Sequence, residues 1–243
     1  MLAAPLPLLG RYHEFSVTST DLAASVQFYE RLGFVHAPTT DAFPHRYGAL
    51  TDGHVCIGLH ARGGASPVLT FVRPDVAEAA PALEARGVKL SVRRIGSEVF
   101  NELGFHAACG QAVALLEART YSPVPHPPPA RCGTFAEISL PATDVATAQR
   151  FWEMLGFVGA PADAAGYARL SLTSDFLELA LHAPQLCPVP MLVFEVRGLA
   201  ELAASLTAQG LETRPLPGVA AADALQLPAP EGTVLLLRAA PAP

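Results

Sequence analysis

The residues with usable chemistry fall into two matching sets. Glu14-Phe15-Ser16 stands seven residues before Asp21, and Glu137-Ile138-Ser139 stands seven before Asp144. A carboxylate partly withdrawn from water has a raised pKa and can act as a general base, or it can pair a cationic ligand. Glu14 and Glu137 are the candidate catalytic residues on that ground. The competing reading is a surface carboxylate or a partner for arginine. His54, Cys56 and His60 follow the first set, and Glu178 and His182 follow the second. An extended segment from His54 to His60 spans about 20 Å, so the two histidines cannot serve one ion. Ser16, Ser139, Tyr47, Tyr167 and His106 complete the candidate ligand-binding residues. Each of these is also readable as a hydrogen-bonded or solvated side chain, and His106 reads more readily as a loop histidine.

The elements that position these residues come from a repeat. Asp21-Leu-Ala-Ala-Ser-Val-Gln-Phe-Tyr-Glu-Arg-Leu-Gly33-Phe34 returns at Asp144 to Phe157 as Asp-Val-Ala-Thr-Ala-Gln-Arg-Phe-Trp-Glu-Met-Leu-Gly-Phe. Weaker echoes begin at Asp75 and Gly198. A doubled unit, itself doubled, predicts four modules of strand, helix, then three strands. Asp21 suits an N-cap, with Thr20 as the alternative. Leu22, Val26, Tyr29 and Leu32 recur at helical spacing, and Gly33 suits the C′ position, where positive φ is cheap only for glycine. The aromatic pairs Phe28-Tyr29 and Phe151-Trp152 read as helix core.

Strand alternation sets Phe15 and Val17 against Glu14 and Ser16, and Ile57 and Leu59 against His54, Cys56, Gly58 and His60. The second half repeats this with Ile138, Leu140, Leu179 and Leu181 on one face and Glu137, Ser139, Glu178 and His182 on the other. The apolar face belongs under the helices, which leaves the polar face open, either to a ligand or simply to water.

Composition narrows the function classes. The 243 residues are 51% hydrophobic and 16% charged with net charge −6, a globular balance with no basic run for a nucleic-acid backbone. No uncharged stretch is long enough, free of proline, to span a membrane. The start, Met1 to Gly10, lacks a basic region and carries Pro5 and Pro7, so it reads as a tail before the first strand rather than a leader. Cys56, Cys109, Cys132 and Cys187 form no Cys-x-x-Cys pair, which favours free thiols and a cytoplasmic location. Tyr121 to Ala130 is rich in proline and reads as an extended linker, and residues 241–243 read as a disordered tail.

The strand–Asp–helix–Phe-Tyr-x-x-Leu-Gly-Phe phrase resembles the vicinal oxygen chelate superfamily, which includes glyoxalase I, extradiol dioxygenases and the fosfomycin and bleomycin resistance proteins. The resemblance implies an α+β fold of four βαβββ modules paired into two tandem glyoxalase-like domains with cupped mixed sheets. Residues 11–120 form the first domain (modules about 11–61 and 66–120), 121–132 the linker, and 133–240 the second domain (modules about 133–183 and 188–240). It also implies where a divalent Mn, Fe, Ni or Zn would be held. Those positions are Glu14, Cys56, Val68 and Ala114 in the first domain, and Glu137, Glu178, Met191 and Leu236 in the second. Two of four are aliphatic in the first, and a thioether and an aliphatic replace two in the second, so the expectation is no metal cofactor. Glu137 and Glu178 are the pair that would hold one. The turns before the last strands, Ala108-Cys109-Gly110 and Ala229-Pro230-Glu231-Gly232, depart from the family's Asp-Pro-x-Gly.

The leading expectation is therefore a metal-free protein that binds a small organic ligand in a sheet cup, as the resistance-type members do. The alternatives are a metal-dependent lyase or dioxygenase, or a metal-free isomerase with a cup carboxylate as base. Nucleic acid and membrane are not expected partners, and tandem domains suit a monomer or a homodimer.

Overall fold

A computed structural model describes residues 7–38, 44–118, 130–160 and 166–240. Most of the proline-rich linker and the tails lie outside these. The first half runs β1 (Arg11–Thr18), α1 (Leu22–Arg31), β2 (Val35–His36), β3 (Tyr47–Thr51), β4 (Cys56–His60), β5 (Val68–Arg73), α2 (Val76–Ala85), β6 (Leu90–Arg94), β7 (Glu102–His106) and β8 (Ala112–Glu117). The second half repeats the order with β9 (Thr134–Pro141), α3 (Val145–Met154), β10 (Val158–Gly159), β11 (Leu170–Thr173), β12 (Glu178–His182), β13 (Met191–Val196), α4 (Leu199–Ala208), β14 (Arg214–Pro215), β15 (Ala224–Pro228) and β16 (Val234–Ala239). The two halves form eight-stranded sheets of identical order, β2-β3-β4-β1-β5-β8-β7-β6 and β10-β11-β12-β9-β13-β16-β15-β14. The four-module α+β fold expected from the repeat is present.

Local chemistry explains the helix ends. The Asp21 carboxylate accepts from the Ala24 amide at 3.0 Å, and Asp144 accepts from Thr147 at 2.9 Å, which satisfies an orphan donor in each first turn. Gly33 and Gly156 follow the last turns at φ +90° and +104°. Helix-facing strand residues such as Phe15, Ile57, Leu59, Ile138 and Leu179 are at most 1% exposed. They join residues of both halves in one hydrophobic core. Tyr29 and Trp152 are core residues, each with no exposed surface. Burial raises the Tyr29 phenol well above its usual pKa, and the neighbouring Glu231 adds to that. Its hydroxyl donates to Glu231 Oε1 at 2.6 Å, so a helix of the first half is tied to the last turn of the second.

Two details depart from the sequence reading. β4 starts at Cys56 rather than His54, because Asp52 Oδ1 accepts the amides of His54 and Val55 and folds that segment into a turn. The β1–β5 register shifts between Tyr12 and Glu14, so the alternation breaks at His13.

Candidate functional site

Glu14 is the centre of the first sheet's open face. Directly opposite residues share a face, and the pairings Glu14–Thr70, Thr70–Ala114, Ala114–Gly104 and Gly104–Val92 draw one row across the cup. Thr70, not Val68, therefore faces Glu14, and Val68 faces Ser16. Glu14 is 2% exposed and uses both oxygens. Oε1 accepts from Ser16 Oγ at 2.6 Å and meets His60 Nε2 at 3.3 Å, while Oε2 accepts from the Tyr47 hydroxyl at 2.5 Å. Ser16 Oγ also lies 2.7 Å from Thr70 Oγ1. His60 Nδ1 is 2.9 Å from His45 Nε2. If His60 donates to Glu14 through Nε2, its Nδ1 is the acceptor for a proton on His45.

This network reverses one expectation. Burial pushes the Glu14 carboxyl up, but the bonds from His60, Ser16 and Tyr47 outweigh it, and the net shift is downward. Glu14 is thus held as an anion. As an anion it accepts hydrogen bonds, and its depressed pKa makes it a weak general base. Tyr12 lies beside it with its pKa raised well above the usual value by burial, then by Cys56 and Glu14. Cys56 is half-buried at the start of β4, whereas His54, in the turn before it, and His106, at the end of β7, are exposed. His45, which the sequence reading passed over, joins the site only because it lies across from His60 in space.

The second cup holds the same residue types in a different state. Glu137 lies 2.7 Å from Arg169 Nε and 3.6 Å from Arg238, and it accepts from the Tyr167 hydroxyl at 3.1 Å. Arg238 also pairs with Glu195 at 2.6 Å, so two guanidiniums balance two carboxylates. Burial raises the Tyr167 phenol above its usual value, and Glu137 adds to that. His182 is turned away from Glu137: Nδ1 meets Ser139 Oγ at 2.8 Å and Nε2 meets the Cys187 carbonyl at 2.9 Å. Burial lowers its pKa, against the Cys187 bond. Glu178 is exposed and accepts from Thr173 at 2.6 Å. Tyr167, Cys187, Met191, Val193, Leu216, Ala224, Val234 and Leu236 form a second small hydrophobic core on this face. The second cup is filled by its own side chains.

The metal positions implied by the fold can be tested on these geometries. Among the described residues of the first cup, Glu14 and His60 Nε2 lie 3.3 Å apart, while the other His60 nitrogen faces His45. In the second, two arginines hold Glu137. Among the described residues, no group of three or more His, Cys, Asp or Glu converges to hold an ion. The described residues do not fit a complete metal centre. A separate groove of about 210 Å³, lined by Leu9, Phe71, Leu155, Phe157 and Phe176 among others, includes none of the Glu14 network.

No protein-family model matches the sequence, and no curated protein matches it. Solved structures do. A variant of homoprotocatechuate 2,3-dioxygenase from B. fuscum in complex with HPCA aligns at TM-score 0.68 and 17% identity, covering 97% of this chain and 72% of that one. The 2,3-dioxygenase LapB from Pseudomonas sp. KL28 aligns at TM-score 0.64 and 16% identity, covering 99% and 96%. A Mn(II)-bound glyoxalase from Novosphingobium aromaticivorans aligns at TM-score 0.58 and 15% identity, covering 94% and 81%. At these identities the likeness is one of fold, and the fold is that of the vicinal oxygen chelate superfamily with two sheet domains. The expectation of no cofactor is corrected by the same comparison, in which a glyoxalase of this fold is bound to Mn(II).

Proposed function

Starting from a vicinal oxygen chelate fold with one open cup and one filled cup, we propose that the chain binds a small organic molecule in the first cup. The Glu14 carboxylate accepts a hydrogen bond from the ligand there. One observation carries the reading: Glu14 is a buried anion whose partners are two hydroxyls and an imidazole, whereas its counterpart Glu137 is neutralised by two guanidiniums. Buried hydroxyls and imidazoles leave the charge of the carboxylate available to a donor that enters the cup. Ser16, Tyr47, Thr70, Cys56 and His60 are the remaining contacts on this reading, and His45 orients His60 without touching the ligand. Neighbours support the ligand class, since one homoprotocatechuate dioxygenase holds HPCA.

The dioxygenases and the glyoxalase of this fold favour a second reading, in which the same cup turns over its ligand. The described residues offer an incomplete donor set for a metal ion. The second cup, on either reading, is a structural unit. All four cysteines are free thiols, which supports placing the protein in a reducing cytoplasm. No helix among the described residues is long and apolar enough to cross a membrane.

The test is calorimetric titration of a panel of small alcohols, phenols and amines into the full chain, alongside Glu14→Gln and Glu137→Gln. Binding that is lost in Glu14→Gln and kept in a folded Glu137→Gln is expected. Binding indifferent to Glu14→Gln would sink the proposal. Metal content after incubation with Mn, Fe(II), Ni or Zn and desalting tests the second reading. Retention that falls in Glu14→Gln would place an ion in the first cup.

A further inference from the structure

The two cups are duplicates, so what fills one describes the space left in the other. In the second sheet the row through Glu137 continues as Val193, Leu236 and Gln226, and the adjacent row runs Ser139, Met191, Val234 and Pro228. Met191, Val193 and Leu236 have no exposed surface, because Leu216 and Val219, from the segment joining β14 to β15, fold over them. In the first sheet the same two rows read Glu14, Thr70, Ala114 and Gly104, and Ser16, Val68, Ala112 and His106. Ala114 and Ala112 stand where the second sheet has Leu236 and Val234, and Val68 where it has Met191, whereas Thr70 matches Val193 in size and Val92 lies 3.1 Å from where a Cβ on Gly104 would be. Ala112 and Ala114 are only partly buried although their strand is interior to the sheet. The segment joining β6 to β7 carries apolar side chains as its counterpart does, yet Ile95, Val99 and Phe100 are 37%, 46% and 57% exposed, and Val92 at the end of the row is 38% exposed.

We infer that this half of the first cup is an apolar subsite: a shelf floored by Ala112 and Ala114, with the 95–100 segment as its cover, taking a flat apolar body whose polar end meets Glu14. The inference rests on the ligand reading given above. The occupant's chemistry follows from the filled copy. There, apolar side chains occupy the shelf while a hydroxyl, that of Tyr167, donates to Glu137. The Tyr47 hydroxyl already supplies the second feature on Glu14; a flat hydrocarbon body supplies the first, and one hydrogen-bond donor on it adds a further bond to the carboxylate. It also removes exposed apolar surface that clusters beside the cup. The shelf, not the Glu14 network, then sets the size of molecule accepted.

Two probes separate the shelf from the polar anchor. Benzyl alcohol carries the donor with one ring, and 2-naphthalenemethanol adds a second fused ring for the shelf. Calorimetry on the full chain is expected to show the larger probe binding about tenfold more tightly, from the extra apolar area buried. Ala114→Leu, which copies Leu236, should erase that gain. Phe100→Ser, in an exposed segment whose packing does not decide folding, should reduce the gain severalfold. Equal affinities for the two probes, or a gain that survives both variants, would overturn the shelf. Binding of benzyl alcohol that still depends on Glu14 would then leave the ligand reading standing. Failure of both probes to bind would overturn the shelf and the ligand reading together.

Discussion

Gly58 leaves the space that the Glu14 carboxylate occupies. A Cβ built on Gly58 lies 2.4 Å from the carboxyl carbon and from both oxygens of Glu14. Gly58 pairs with Ser16 across β1 and β4, and the corresponding pair in the second sheet is Ser139 with Ala180. One methyl group thus distinguishes a strand over which the carboxylate can lie, towards His60 and Tyr47, from one that offers no such space. In the second sheet the carboxylate meets Arg169 and Arg238 instead.

Gly58→Ala is therefore expected to displace Glu14. The backbone of Gly58 is not in the positive-φ region, so the effect is steric alone. A loss of about 1–3 kcal/mol is expected for an overpacked interior position. Urea unfolding measures it, and probe binding should fall with it. Unchanged stability and binding would mean that the carboxylate has another place to lie.

Glu14→Gln and Glu137→Gln should differ in kind. Removing the Glu137 charge leaves two buried guanidiniums facing a neutral amide, and breaking such a pair costs about 3–5 kcal/mol. Glu14→Gln keeps an acceptor for the hydroxyls and should cost no more than about 1–3 kcal/mol. Denaturant midpoints of the two variants, compared at equal m, decide it. An equal or larger loss in Glu14→Gln would contradict the functional assignment of the first cup.

Stability should fall on acidification in two stages. The lowered pKa of His182 means the unfolded chain takes up its proton first, so its contribution is complete above 6.5 and is lost as pH falls through the folded value. Glu14 behaves with the same sign in a lower window: its contribution is complete above 4.5 and is lost as pH falls through its folded pKa. Urea midpoints measured against pH should show a smaller upper stage in His182→Gln, the remainder coming from His45, whose pKa burial also lowers, and should keep the lower stage. A profile unchanged by His182→Gln would show that another group produces the upper stage.

Tyr29 and Glu231 should be coupled across the two halves. Tyr29→Phe removes a buried hydroxyl donor and leaves the carboxylate short of a partner, for a cost of about 1–3 kcal/mol. A double-mutant cycle with Glu231→Gln measures the coupling. Strict additivity would show that the contact contributes nothing to joining the halves.

The sequence by itself determined the fold, because the repeat carries local signals that need no tertiary partner. Asp21 and Asp144 cap, Gly33 and Gly156 close, and alternation along β1 and β9 separates a helix face from an open face. It also placed Glu14, Ser16, Tyr47 and His60 among the candidates. It did not separate the two cups, since Glu-x-Ser, a tyrosine and a histidine occur in both. That difference was decided by contacts between residues far apart in the chain: Arg238 and Arg169 on Glu137, Leu216 over Met191, His45 against His60, and the absent Cβ of Gly58 beneath Glu14. A carboxylate's charge state depends on what surrounds it in three dimensions, and a cup is open or filled according to which side chains converge on it. Neither quantity is periodic along the chain, so tertiary structure alone reveals them.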